Sequence, residues 1–287
     1  AEPAVRAAML PVLAPLAEEP PVWREAFLTH YATNATESAS VDALFSAMRR
    51  LSPGETTVWL SRLVADGRWD EAYARWRERS SEPVSGGRAS GPSAGSASGS
   101  VAGSVAGSLS GSVADPGVDP VTGTDRGIVN GGFETEPGLP PFDWTLRAPA
   151  GVQVTRAPVA GRSGQALRVQ FLGTRAAFNG VQQTVLLAPG QHVLHWAYQL
   201  DGLTTPRGLR WVAVCAGSGS VGQELGASPL MAGQSAWREA QFAFDVSAGC
   251  PAVTLRLELA ARIAAETQAY GTAWFDDLRL EPRTAPQ

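Results

Sequence analysis

Two periodicities divide the chain. Up to about residue 80 the apolar positions recur every three to four residues, and from about residue 128 they alternate one by one. In the first part, Trp23, Phe27 and Tyr31 fall at i, i+4 and i+8 on one helical face. Ser40 is placed to cap a second helix whose stripe is Val41, Leu44, Phe45, Met48 and Leu51. Ser52-Pro53-Gly54-Glu55 combines a capping serine, a proline suited to the first helical position and a glutamate placed for a capping box. The helix it opens carries Trp59 and Leu63 and stops at Gly67; a last one carries Trp69, Ala72, Tyr73 and Trp76. Upstream, Pro11 and Pro15 restrict any helix to short or kinked pieces. The aromatic stripes are expected in the core, because buried area dominates aromatic placement.

The second part reads as strands. Leu167, Val169 and Phe171 alternate with Arg168 and Gln170; Val181–Leu187 follows, closed by Pro189-Gly190. Leu194, Trp196, Tyr198 and Leu200 alternate with His195, Ala197 and Gln199, and Leu209, Trp211, Ala213 and Cys215 with Arg210, Val212 and Val214. Phe242, Phe244 and Val246 come next, then Val253, Leu255, Leu257 and Leu259 against Thr254, Arg256 and Glu258. Such alternation means one packed and one wet face, so Trp196 and Trp211 are assigned to the core. The fold class is therefore multidomain: all-α helical hairpins over 1–80, a linker over 81–127, and an all-β sandwich over 128–283. From Ala89 to Ala114 the linker has no charge, only Gly, Ser and Ala with a few Val, Leu and Pro. As a flexible coil of about 47 residues it spans roughly 35–40 Å and leaves the geometry of the two parts free.

Composition narrows the function classes. A net charge of −4 gives no basic surface, which argues against nucleic acid. All 23 basic residues are arginine, so neither Schiff-base nor P-loop lysine chemistry is available. No apolar run is long enough to span a membrane. The chain starts at Ala1 rather than Met, which is consistent with removal of an upstream signal or anchor.

Asn130–Glu134, NGGFE, and Gly271–Leu280, GTAWFDDLRL, bracket the strands. This pairing resembles the jelly-roll carbohydrate-binding modules, galactose-binding-like β-sandwiches that act on glucans and xylans. The resemblance covers roughly residues 127–282. It implies first and last strands side by side, and a structural Ca²⁺ held by Glu134 with Asp276 or Asp277. Separately, Thr56–Arg79 resembles one tetratricopeptide repeat, with Gly67, Trp69, Ala72 and Trp76 at that repeat's small and aromatic positions; Leu60 and Arg79 depart from it. A single such unit cannot bury its own face, so the helices belong to a longer solenoid or a small bundle.

Candidate chemistry follows from these assignments. Sugar binding needs aromatic rings to stack on pyranose faces and polar groups for hydroxyls. Trp144 and Trp237 supply rings at loop or strand edges; Arg168, Gln182, His195, Gln199 and Arg210 supply polar groups on wet strand faces. Should Arg168, Arg210 and Arg256 share one concave face, the groove would be positive and suited to an anionic polysaccharide, because Arg binds carboxylates bidentately. Cys215 and Cys250, 35 residues apart, are either bridged or two buried thiols; the exported character of the resembled modules favours the bridge, worth roughly 3–4 kcal/mol in the chain-entropy model. Adjacent strand residues point to opposite faces, so Asp276 and Asp277 are not expected to flank one scissile bond. Gly217–Gly222 matches GxGxxG, but Gly226 and Pro229 exclude the helix a dinucleotide site requires. With no convergent acid, base or nucleophile set, the chain is read as non-catalytic. The resemblance implies an exported protein, periplasmic or secreted, that binds polysaccharide in cell-surface or exopolysaccharide assembly. The alternative is a structural scaffold whose helices, like the sandwich, bind partner proteins.

Overall fold

The computed structural model describes residues 21–48, 50–80, 126–217 and 222–283. The expectations for Pro11, Pro15 and the linker up to residue 125 lie outside the described residues.

Among the described residues the N-terminal part holds helices α1 (Arg24–Asn34), α2 (Ser38–Ala47), α3 (Pro53–Ala65) and α4 (Trp69–Ser80). The capping box at α3 is complete: the Ser52 hydroxyl accepts from Glu55 N at 3.1 Å, and the Glu55 carboxylate accepts from Ser52 N at 2.8 Å. Glu55 also takes Arg24 in a buried ion pair, 2.8 Å to its Nε, which locks α1 onto the start of α3. Two expectations are corrected here. The second helix starts three residues earlier than expected, with Glu37 and not Ser40 at the N-cap. The Trp23–Phe27–Tyr31 stripe does not face the core: α1 buries Arg24, Leu28 and Ala32, leaving Trp23 52% and Phe27 37% exposed. Arg24 wins the inner face because Glu55 neutralises it there.

The C-terminal part is a sandwich of two antiparallel five-stranded sheets. Sheet 1 runs β1 (Thr145–Leu146), β4 (Val181–Val185), β9 (Val253–Leu259), β6 (Leu209–Cys215), β7 (Glu224–Ala227). Sheet 2 runs β2 (Val152–Ala157), β3 (Ala166–Arg175), β10 (Gln268–Pro282), β5 (Gly190–Thr204), β8 (Gly233–Val246). The inward residues of each alternation meet between the sheets. There Trp211 packs edge-on to Phe275 at 5.6 Å and against Trp144 at 6.0 Å. Cys215 and Cys250 are bonded, tying β6 to the turn before β9. Residues 218–221 of GxGxxG lie outside the described residues; after Gly222 comes strand β7 and not a helix.

Both parts share buried apolar surface. Phe142, 1% exposed, lies edge-on to Tyr73 at 5.2 Å and 5.9 Å from Trp76, both on α4. Leu186 and Ala252 at the margin of sheet 1 join the same buried cluster as the helix core. Arg126 pairs with Asp70 at 2.9 Å and lies over the Tyr73 ring. The helices therefore rest on the sandwich, a contact that linker composition alone could not reveal.

Candidate functional site

The bracketing motifs meet. Leu278 N donates to Gly131 O at 3.0 Å, and a Cβ at residue 131 would collide with the Leu278 carbonyl, so glycine is required for this approach. Asn130 holds the loop through both polar atoms of its amide on Thr135, while Phe133 is fully buried against Trp144. On the facing strand the β10–β5 register slips between Asp276 and Arg279, with Asp277 at φ 53. One extra residue in β10 makes a bulge. It also corrects the expectation that the two aspartates point to opposite faces. Arg162 reaches both: its Nη1 bonds Asp277, and its Nε lies 3.8 Å from Asp276 Oδ2.

Arg162 belongs to the β2–β3 loop, which crosses the outer face of sheet 2. The Trp237 indole N–H donates to Ala160 O at 3.2 Å, and the Arg162 guanidinium lies 4.7 Å from the centre of the Trp237 ring. Glu134 accepts from Gln165 N at 3.0 Å and lies against Gly164. Beside the loop, Asp276 and its β5 neighbour Ala197 point outward yet are 4% and 1% exposed. Arg162 covers Asp276, and Ala160 O on Trp237 carries the loop across the sheet to β8.

On one side of the loop the face remains open. Thr155, Arg168, Trp274 and Gln199 align across β2, β3, β10 and β5; Gln153, Gln170, Thr272 and Asp201 make the next row; Leu172, Tyr270 and Thr204 make a third. Trp274 is half-buried with the Arg168 guanidinium 5.7 Å from its ring centre, and Tyr270 is 65% exposed. Four residues of extended strand place these rings about 13 Å apart. The sequence reading missed both, although their signal was available: Tyr270, Thr272, Trp274 and Asp276 alternate with Ala269, Ala273 and Phe275 once the strand is extended back to Gln268. On the other side of the loop an open groove of about 480 Å³ is lined by Val193, His195, Gln241, Glu281 and Arg283 among others, with His195 Nε2 3.4 Å from Glu281.

The candidate ligand residues thus separate. Arg168, Gln199 and Trp237 lie on sheet 2 beside the loop, and His195 in the groove beyond it. Gln182 and Arg210 lie on the outer face of sheet 1, opposite Arg256 and Glu258. Trp144 is 2% exposed, its indole N–H donating to Asn130 O at 2.9 Å, so it presents no ring to solvent. The shared positive groove is not formed. Arg210 is held by Glu258 at 2.8 Å and Glu224 at 3.0 Å, and Arg256 by Glu258 at 2.7 Å. Burial works against the Arg210 charge, but those two glutamates outweigh it and raise its pKa.

For a cation, Glu134 and Asp276 meet at Gly132, where a Cβ would lie 3.6 Å from Asp276 Oδ1 and 3.7 Å from Glu134 Cγ, and Asp277 joins them through Arg162. Burial pushes the Asp276 carboxyl from 3.8 to about 6; the Asp277 N–H and Arg162 oppose this, while the Asp277 and Glu134 charges add to it. Three carboxylates against one guanidinium are chemically suited to a hard cation. Among the described residues, however, no three His, Cys, Asp or Glu side chains already stand in ligating geometry. Arg162 provides the counter-charge in this arrangement. No described helix is long and apolar enough to cross a membrane.

No family model and no curated protein matches the chain. Solved carbohydrate-binding modules align with its C-terminal part. A structure described as CBM4 is 15% identical, covering 54% of this chain and 99% of its own, with a TM-score of 0.39. The CBM22-1 xylan-binding domain of Paenibacillus barcinonensis Xyn10C is 18% identical, covering 54% and 93%, with a TM-score of 0.37. TmCBM61 in complex with β-1,4-galactotriose is 18% identical, covering 55% and 99%, with a TM-score of 0.34.

Proposed function

We propose that the chain is a non-catalytic polysaccharide-binding protein whose site is the open part of the outer face of sheet 2. The supporting observation is the juxtaposition of Trp274 and Tyr270 on one strand, flanked by Gln153, Gln170, Gln199 and Asp201. Rings stack on the apolar faces of pyranoses, and amides and carboxylates take hydroxyls. Arg168 and Asp201 balance the charge of this field, so the ligand class is a neutral glycan. Asp276 and Asp277 are held by Arg162, which supports a binding role over acid–base chemistry. Glu134, Asp276 and Asp277, with neighbouring carbonyls, are the residues that would hold Ca²⁺, whose place is structural: it would neutralise the bulge that joins the opening loop to β10. The disulfide supports an exported protein, periplasmic or secreted, serving cell-surface or exopolysaccharide assembly. The test is binding of the full chain to a panel of xylan, β-1,4-galactan, mixed-linkage β-glucan and alginate. The reading expects binding to a neutral member that Trp274→Ala weakens; preference for alginate would reject the neutral-glycan assignment.

A second reading rests on α1. Trp23, Phe27 and Tyr31 form an aromatic ladder with ring centroids 5.9 and 6.0 Å apart, exposed at Trp23 and Phe27. Such a face on a tetratricopeptide-like segment supports a scaffold that binds a partner protein through its helices.

A further inference from the structure

The β2–β3 loop does more than decorate the sandwich. It crosses the sheet from Arg162 on Asp276 to Ala160 on Trp237 and divides the outer face of sheet 2 into an aromatic field and a separate groove. Its anchors are several: Arg162 on Asp276 and Asp277, the Arg162 guanidinium on Trp237, the Trp237 indole N–H on Ala160 O, and Gln165 N on Glu134. Because Trp237 gives one ring face and its N–H to this loop, it is committed to the wall. The rings left free to stack are Trp274, next to the wall, and Tyr270, about 13 Å farther along the same strand. A glycan that stacks on both therefore runs along β10. Toward Asp276 it meets the loop within one row of Trp274; at Tyr270 its row-mates Leu172 and Thr204 are exposed, and past it, among the described residues, so are Gln268 and Arg175.

Building on the glycan-binding reading above, we infer that the loop carrying Arg162 closes one end of the binding face, so that the protein captures the end of a polysaccharide chain and not its interior. Arg162 acts as a positioning residue: it touches no ligand and sets the wall that a mid-chain segment would have to cross.

Stoichiometry tests this directly. Each polymer of the panel is prepared in two fractions differing twofold in chain length, and protein bound per chain is measured at saturation by calorimetry or sedimentation. End capture predicts a constant number per chain, so that binding per gram of polymer halves when length doubles. Arg162→Ala, or Trp237→Ala should the first variant fold poorly, should convert binding to a number that grows with length. Wild-type binding already proportional to length overturns the inference while leaving the glycan reading intact. A folded variant that stays limited to chain ends removes the loop as its cause. No binding of the wild type to any polymer of the panel overturns both.

Discussion

Phe142→Ala tests how the helices are held. The side chain is 1% exposed and wedged between Tyr73 at 5.2 Å and Trp76 at 5.9 Å. Truncating a buried phenylalanine costs about 3–5 kcal/mol, part lost transfer and part cavity. The polar contribution to the same contact is much smaller. The Arg126–Asp70 pair is 34% and 87% exposed, where such pairs are worth at most about 1 kcal/mol, and an exposed cation over Tyr73 adds about 0.5–1 kcal/mol. Phe142→Ala should therefore uncouple the parts while Arg126→Ala weakens the contact markedly less. In differential scanning calorimetry with parallel far-ultraviolet dichroism, the variant should show the helical signal melting ahead of the sandwich, and the wild type a joint transition. A helical transition unmoved by Phe142→Ala, or moved as far by Arg126→Ala, would refute the reasoning.

Asp276 gives a signed pH effect. Its folded-state pKa, about 6, lies above the ordinary 3.8, so the folded form binds the proton more tightly and stability falls as pH rises from about 4 to 6. The shift of roughly 2 units corresponds to at most about 3 kcal/mol. Asp276→Asn should flatten that slope in thermal melts made in chelator. Added Ca²⁺ should raise the wild-type Tm near pH 7, where the carboxylate is ionised, and Glu134→Gln should diminish that rise; a melt indifferent to Ca²⁺ and chelator sinks the metal assignment. Reduction of Cys215–Cys250, which closes a 35-residue separation, should lower stability by about 3–4 kcal/mol, read as a shifted denaturant midpoint; free thiols titrating in the unreduced, denatured protein would contradict the bridge.

Much of the fold is legible because burial on one face writes itself as a period. The strands around Leu167, Leu194, Leu209 and Leu255 could be read from alternation alone, and the capping residues of α3 from Ser52, Pro53 and Glu55. Short strands escaped. β1 and β7 are two and four residues long, and β2 is a sheet edge whose Thr155 and Gln153 face solvent. The site was less legible for three physical reasons. A bulge at Asp277 broke the period on which the two-face argument depended. Ion pairing across sheet 1 absorbed arginines that looked free in sequence. On α1, the buried Arg24–Glu55 pair displaced the aromatic stripe from the core, a pairing across 31 positions that local periodicity does not encode. The sheet order is likewise non-local: it places Gln182 and Arg210 on the face opposite to Arg168 and Gln199.

The central claim is that the Trp274 face binds glycan. The most direct measurement is the affinity of the full chain and of Trp274→Ala for the panel of polysaccharides, with thermal melts to establish that both are folded. Trp274 lies on the outer face and outside the buried core, so its removal should leave Tm within a few degrees of wild type. Loss of one stacking ring, about 1.4 kcal/mol, should weaken binding roughly tenfold. A wild-type chain that binds no member of the panel, or a folded Trp274→Ala that binds as tightly as wild type, would contradict the account.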